Sequence, residues 1–527
     1  MLQAIIDKRA AVLIAAVFIF CLAENLIILH YDKTPFSYDI ADSYYVGQNF
    51  YKHIINLRLG DFFADYLFNY NKDYPPIFLF QPFVFYLLMG VSEDAAALSN
   101  SIPLFILIVS AYALAFKLYG RKAAVFAAVS IPLLPGFLAF SRVFLPDFAV
   151  AAYLTAYASF LVDSNGFRKN RMKLGLLIAV GMLTKHTFAL YCGLLTLSYL
   201  IFGIRKPDIR GALVSGAVGS LVSAIWYIPH HDLVARVVQV NGAFYKISDG
   251  FIGSFITGAA SLASILVTRS LFFIYAIPLY LLALEHISDR RRWISLFVLA
   301  ASAFFSVAAI VYVDPRVFVP LAPFLLVIAG FYMSKLLRLE WLPLMIFVVI
   351  GVIVKVGLVS GVSSLPLTNT VYLGGLLYPI SGYERLDALK ADIMAIPGNR
   401  GTILILQDSA VASSLSYSLS RKYRIYNPFL FAIDMNMSDL APYMHSIDEV
   451  GICNFTAVLY TDKPLRQMQE KSLQAARGPQ ISEAYYAQAE FLNCSNYILS
   501  ESYTFPYESD TTSVLSLYIN QVNARIS

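Results

Sequence analysis

Runs of about 20 residues with almost no charge recur through the first two-thirds of the chain, each long enough to cross a hydrocarbon core roughly 30 Å thick. Such runs leave few folds open, because backbone polar groups in hydrocarbon must bond within their own segment, and a single apolar run does that only as a helix. The first run, at 10–30, follows Lys8-Arg9 and carries no small-residue cleavage site. It predicts a retained first span with its N-terminus in the cytoplasm. Further candidate spans lie at 98–117, 123–140, 147–162, 174–204 (two short passes broken near Lys185), 211–229, 268–284, 293–313, 317–334 and 341–360. The expected fold class is a polytopic α-helical membrane protein. Hydrophobic residues make up 58% of the chain and charged ones 14%, against roughly 25% charged in a soluble domain. The net charge of +5 sits in short loops between spans, which marks it as a topology signal and argues against a nucleic-acid partner.

The basic loops orient the spans. "GFRKNRMK" (166–173), "GIRKPDIR" (203–210), "SDRRRW" (288–293) and "KLLR" (335–338) belong inside by the positive-inside rule. Working outward from them, Asp147, Lys185, "YIPHHD" (227–232) and "DPRVF" (314–318) fall at the external face. The apolar stretch "YPPIFLFQPFVFYLLMG" (74–90) conflicts with this arrangement if it crosses completely. Lys117, Arg121 and Lys122 belong inside, so 74–90 is expected to be an interfacial or re-entrant segment at the outer face, helped by its Pro-Pro start. Residues 31–73 then form a first external loop, rich in Tyr, Phe and Asp, of the kind that lays short amphipathic helices on a membrane surface.

Composition changes near residue 364. "GTILILQD" (401–408), "NFTAVLYTD" (454–462), "NYILSESYTF" (496–505) and "VLSLYIN" (514–520) alternate with helical patterns at 409–423 and 464–477, which predicts a small α/β domain. The expected organisation is a transmembrane domain over 1–364 and an extracytoplasmic α/β domain over 365–527. Cys21 and Cys192 read as small apolar residues within spans, whereas Cys453 and Cys494 lie in the external region, where a disulfide is compatible with the compartment.

Ionisable residues at membrane depth are functional candidates because burying them unpaired is costly. Asp39, Asp42, Asp73, Arg142, Asp147, Lys185, His186, His230, His231 and Arg316 all map to external span ends. Singly each has a structural explanation: Asp147 as a helix cap, Lys185 snorkelling to headgroups, Arg316 on a lipid phosphate. Together they converge on one side from separate loops. Carboxylates there suit proton abstraction from a hydroxyl; Lys185, Arg316 and Arg142 suit a phosphate whose negative charge grows. Asp39, Asp73 and Asp147 with His230 are also the hard oxygen and nitrogen donors that a divalent metal ion would take, although no tight ligand motif accompanies them. No Walker loop or dinucleotide fingerprint is present, which argues against a cytosolic nucleotide donor.

The order "PFSYDIA" (35–41), "YPPIF" (74–78), "SRVFLPD" (141–147), "GMLTKHTF" (181–188) and "DPRVFVPLAPF" (314–324) resembles the GT-C membrane glycosyltransferases, in the branch of protein O-mannosyltransferases and the lipid A aminoarabinose transferase. The resemblance covers about residues 1–335. It implies a GT-C fold of about 11–13 transmembrane helices with the α/β domain outside, and transfer of a sugar from a polyprenyl-phosphate donor to an acceptor at the extracytoplasmic face of the plasma membrane. It puts Asp39 in the place of the first-loop aspartate proposed as base, Asp147 at the second acidic position and Lys185 at the donor phosphate. Ile40 follows Asp39 where the family often has Asp-Glu, so Asp42 stays an alternative base. Asp73 and Tyr74 stand before the Pro-Pro pair where the aminoarabinose transferase has Glu-Lys, and with His186 and His231 they complete the expected substrate-binding set. The acceptor is left open among protein, glycan and lipid. Two other classes fit a chain of this composition: a transporter or flippase of a lipid-linked substrate, and a non-catalytic envelope assembly protein.

Overall fold

The computed structural model describes residues 8–31, 38–67, 75–133, 137, 140–163, 166–203, 208–232, 234–235, 280–289, 291–308, 319–336, 386–396, 402–406, 424–426, 457–461, 494, 497–507 and 511–520. The chain divides into two compact units, Met1–His30 with Tyr74–Tyr378 and Tyr31–Asp73 with Pro379–Ser527. The span expected at 341–360, most of that at 268–284, the helices expected at 409–423 and 464–477, and Asp73, Tyr74, Arg316 and Cys453 lie outside the described residues.

The first unit is helical. Three of its described helices are long and apolar enough to cross a membrane: α1 (Lys8–Tyr31), the stretch Glu93–Tyr119, and the helix Ile209–Tyr227. Glu93–Tyr119 consists of α6 (Glu93–Leu98) and α7 (Ser101–Tyr119). It is followed by α8 (Arg121–Ser130), α9 (Pro146–Leu161), α10 (Gly166–Met182), α11 (Phe188–Phe202) and α12 (Ile209–Tyr227), then α13 (Trp293–Ala308) and α14 (Ala322–Leu336).

Side-chain ties define two ends of this bundle. At one end, Lys117 near the foot of α7 pairs with Asp163 after α9 at 2.6 Å. Tyr119 meets His286 at 2.8 Å, Arg291 lies over the Tyr119 ring, Lys173 over Phe160 and Lys335 over Phe331. Lysines and arginines from four separate connections therefore share one end, as the charge pattern of the loops predicts. At the other end, Asn25 of α1 bonds Ser141, Asn100 before α7 bonds the 140–143 backbone, and Lys185 meets Asp147.

"GFRKNRMK" is not a loop but the first two turns of α10. Its periodicity explains why: Phe167, Asn170 and Leu174 are buried while Arg168, Lys169, Arg171 and Lys173 are exposed, and arginine and lysine are good helix formers. Asn170 turns inward and donates to Asp163 Oδ2 and to the Phe160 carbonyl, both at 3.1 Å. Lys117 adds a bond to the Ser159 carbonyl at 2.6 Å. Both oxygens of the buried Asp163 carboxylate are thus engaged. Asp163→Ala is expected to strand the Lys117 ammonium and cost about 3–5 kcal/mol, seen as a lower Tm in detergent. The double variant Lys117→Met/Asp163→Asn is expected to recover most of that loss. On the same end, fully buried His286 joins Tyr119 through Nε2 and Ser295 through Nδ1, at 2.8 and 2.9 Å. Burial pushes its imidazole down to about 4, so a neutral ring serves both hydroxyls.

α10 and α12 pack closely because α12 presents Gly211, Ser215, Gly219 and Ser223 at every fourth position. A Cβ at Gly219 would fall 2.4 Å from Ile178, and one at Gly175 2.7 Å from Val218.

The 74–90 stretch forms two short helices, α4 (Pro76–Phe80) and α5 (Phe83–Met89), parted at Gln81-Pro82. The Ile77 N–H donates to the Leu183 carbonyl at 3.0 Å, and Gln81 Nε2 donates to Ser99 and Asn100 at 3.0 and 2.8 Å. The start of the segment and its break at Gln81 are thus tied to the Asp147 end of the bundle. Pro82, which has no N–H to continue the first helix, marks the break between the two.

In the second unit, α2 (Tyr38–Ile55) and α3 (Leu59–Leu67) form a helical hairpin whose turn holds Leu57 at φ 56°. His53 meets Asp65 across it at 2.8 Å, and the Phe50, Phe62 and Tyr66 rings pack together. Short helices were expected here. The remainder of the unit contains α15 (Leu386–Ala395) and a five-stranded sheet of β1 (Thr402–Leu406), β2 (Arg424–Tyr426), β3 (Ala457–Thr461), β4 (Tyr497–Tyr507) and β5 (Thr511–Asn520), in order β2-β1-β3-β5-β4. β1 pairs in parallel with β2 and β3, while β5 runs antiparallel to β3 and β4. The four predicted strands are all present. Cys494 is disulfide-bonded, and Cys21 and Cys192 are free.

Candidate functional site

Asp147 owes its position to Leu145-Pro146. Leu145 is extended, at φ −132° and ψ 145°, as the residue before a proline prefers, and Pro146 opens α9 without an N–H to leave unpaired. Asp147 then sits in the first turn, where the helix dipole favours a carboxylate.

Lys185 comes from the turn between α10 and α11. Thr184 Oγ1 donates back to the Val180 carbonyl at 2.7 Å, the Lys185 N–H donates to Gly181 at 3.0 Å, and the Tyr227 hydroxyl of α12 donates to the Met182 carbonyl at 3.0 Å. Phe188 restarts the chain as α11 by folding its ring directly over Gly181. A Cβ there would lie 2.4 Å from the ring. Gly181→Ala is therefore expected to displace Phe188 and the Lys185 turn, costing about 1–3 kcal/mol of stability and most of the site's activity; thermal unfolding and rate measurements on the same preparation check both.

Lys185 Nζ lies 2.7 Å from Asp147 Oδ1, with the two side chains 13% and 4% exposed. The second carboxylate oxygen, Oδ2, is buried and has no hydrogen-bond partner among the described residues. Here the two buried Asp–Lys pairs among the described residues part company. Asp163 at the basic end has both oxygens satisfied, as a structural pair requires; Asp147 has one oxygen left over. A buried ionised oxygen without a donor is costly to keep, and such costs are tolerated where a ligand or reacting group completes the site.

The loop before α9 is firmly held. Asn25 Nδ2 donates to Ser141 Oγ at 2.9 Å. Asn100 Nδ2 donates to the Phe140 and Val143 carbonyls, and Phe78 stacks on Phe144 with ring centroids 4.3 Å apart. Arg142, 5% exposed, belongs to this loop. His186 is partly buried beside the pair, and the charges of both Lys185 and Asp147 reach it. Tyr191 of α11 lies within electrostatic reach of Asp147 and Tyr280, and Tyr280 bonds Ser302 at 2.7 Å.

The structure thus brings together Asp147, Lys185 and His186, with Arg142 on the adjoining loop. His230 is buried, with Nδ1 2.8 Å from the Trp226 carbonyl and its ring stacked on Trp226. His231 is exposed, beside Asp232 at 3.2 Å. Asp39 and Asp42 fall in the first turns of α2, in the second unit. Asn25, Gln81, Asn100, Tyr191 and Tyr280 were not anticipated. Asn25 had a signal, an amide inside an apolar helix; the tyrosines had none, since 35 occur in the chain. Among the described residues no group of three or more His, Cys, Asp or Glu side chains is placed to hold a metal ion. Of the expected metal donors, Asp73 lies outside the described residues, and Asp147 has the Lys185 ammonium at Oδ1.

The architecture, apolar helices long enough to cross a membrane together with a second unit built around a five-stranded sheet, has the fold of a solved structure. The chain is similar to ArnT from Cupriavidus metallidurans, solved bound to undecaprenyl phosphate, with a TM-score of 0.59, 15% identity, and 96% of this chain and 97% of that one covered. The apo structure of the same protein gives a TM-score of 0.58 over the same shares. Residues 73–230, which contain the Asp147–Lys185 site, match the family model of dolichyl-phosphate-mannose-protein mannosyltransferase. An uncharacterized protein of Aquifex aeolicus (strain VF5) is 30% identical over 110 residues, which is 21% of this chain and only 26% of that relative's length.

Proposed function

We propose that the chain is an integral-membrane glycosyltransferase that moves a sugar from a polyprenyl-phosphate donor to an acceptor at the extracytoplasmic face. The observation that carries this is the half-satisfied Asp147–Lys185 pair, opposite the basic end of the bundle and inside the segment that matches a sugar-phosphate-using family. Undecaprenyl phosphate on a protein of the same fold supports a polyprenyl carrier. The positive-inside rule assigns the basic end to the cytoplasm and the Asp147 end to the outside.

In the proposed reaction an acceptor hydroxyl attacks the anomeric carbon, the bond from that carbon to the phosphate oxygen breaks, and polyprenyl phosphate leaves. Asp39 takes the acceptor proton, with Asp42 as the alternative. Lys185 receives the phosphate as its charge grows, more effectively in this water-poor setting than in solution, with Arg142 and Arg316 as further cations. A single displacement inverts the anomeric centre. Asp73, Tyr74 and His231 stand as candidate substrate contacts, and the α/β domain as the part that selects a protein, glycan or lipid acceptor.

The test is transfer from labelled polyprenyl-phosphate sugars to envelope fractions of cells lacking the chain, with and without the purified protein in proteoliposomes. Label is expected in a product of inverted anomeric configuration, only when the protein is present. A labelled product of retained configuration would overturn the single displacement, and no product from any donor would overturn the assignment.

A further inference from the structure

The half-satisfied carboxylate points beyond the phosphate. Lys185 has one evident use in a glycosyl-phosphate site, and its 2.7 Å contact with Oδ1 fixes the carboxylate beside wherever that phosphate binds. Oδ2, buried on a side chain 4% exposed, is then an acceptor with no donor. The contrast with Asp163, whose second oxygen takes Asn170 Nδ2 at 3.1 Å, argues against the vacancy being a feature of buried Asp–Lys pairs in this bundle. Among the described residues no asparagine, serine or backbone N–H is supplied to Asp147 Oδ2, although the neighbouring loop is tied by Asn25 and Asn100.

We propose that Asp147 Oδ2 accepts a hydrogen bond from a hydroxyl of the transferred sugar, so that the Asp147–Lys185 pair reads a glycosyl phosphate as one unit: ammonium to phosphate, carboxylate to sugar. This rests on the glycosyltransferase reading above. The hydroxyl on the carbon next to the anomeric one is the sugar's hydrogen-bond donor nearest the phosphate, and it is the group assigned. In this role Asp147 is a specificity residue: it distinguishes a sugar-loaded carrier from the bare carrier phosphate that the reaction releases, which helps product leave.

The experiment is displacement of labelled undecaprenyl phosphate from the full-length protein in nanodiscs by four lipids: unlabelled undecaprenyl phosphate, its mannosyl and glucosyl phosphodiesters, and the 2-deoxy analogue common to both. The two sugars differ only in the orientation of the hydroxyl in question. Wild type is expected to bind one epimer about 10- to 150-fold more tightly than the 2-deoxy compound, the range for a hydrogen bond to a charged group. In Asp147→Asn that gap is expected to shrink to about threefold or less, while bare undecaprenyl phosphate binds as well as before or better, since the Asp147 carboxylate no longer competes for Lys185. The retained phosphate binding shows that the variant is folded, and the wild-type comparison stands without it. Equal binding of all three sugar lipids by wild type, or a gap that survives Asp147→Asn, overturns the proposal while leaving glycosyl transfer intact. Failure of wild type to bind any of the four removes the glycosyltransferase reading and this inference with it.

Discussion

Lys185→Ala is expected to lower sugar transfer by about 10²–10³-fold, the usual cost of removing one preorganised group from the site of developing negative charge. The loss should fall mainly on kcat, because phosphate charge grows as the glycosidic bond breaks. A second consequence complicates the reading. Without Lys185 the Asp147 carboxylate, 4% exposed, is left buried and unpaired, which costs about 3–5 kcal/mol of stability. The two effects separate in the double variant Asp147→Asn/Lys185→Ala, which no longer buries a charge. Its Tm is expected to return towards wild type while transfer stays low. If transfer returned together with the Tm, Lys185 would be a structural partner of Asp147 and no more. Lys185→Arg keeps the cation but changes its reach, and should lie between.

Asp39→Asn is expected to reduce transfer by about 10²–10⁴-fold, the range for loss of a general base, without a change in Tm or in undecaprenyl phosphate binding. An amide of the same shape fills the position in the first turn of α2 but cannot take the acceptor's proton. The effect should be larger with an alcohol acceptor than with one already ionised, such as a phosphate. Full transfer by Asp39→Asn would move the role to Asp42, one turn further along the helix, and Asp42→Asn would then show the loss.

Much of this was legible in the sequence, for identifiable reasons. Apolar run length fixes helices in hydrocarbon, and loop lysines and arginines fix which ends lie together, so the placing of Asp147 and Lys185 at the same end followed from topology, whereas their 2.7 Å contact did not. The break in the 75–90 segment at Gln81-Pro82 was not anticipated: the expected proline effect lay at its Pro-Pro start alone. Strands β1, β3, β4 and β5 were visible as alternating or apolar runs, whereas β2, three residues long, is too short to carry a period. "GFRKNRMK" misled because charge was taken as a loop signal, when its buried Phe167, Asn170 and Leu174 carry a helical repeat. The ties from Asn25, Gln81 and Asn100 could not be read ahead, because a polar side chain names its chemistry and not its partner. The vacant oxygen of Asp147 was equally invisible: only coordinates show which hydrogen bonds a carboxylate lacks.

The most direct measurement follows the sugar–phosphate bond itself. Purified protein in proteoliposomes is given a donor carrying one label on the sugar and another on the lipid phosphate, together with an acceptor extract, and both labels are traced over time. The expected result is that acceptor-bound sugar and free polyprenyl phosphate appear in equal amounts, quickly in wild type and about 10²–10³-fold more slowly in Lys185→Ala. Movement of the intact doubly labelled lipid across the bilayer with no bond broken would contradict it and make the chain a carrier of the lipid-linked sugar.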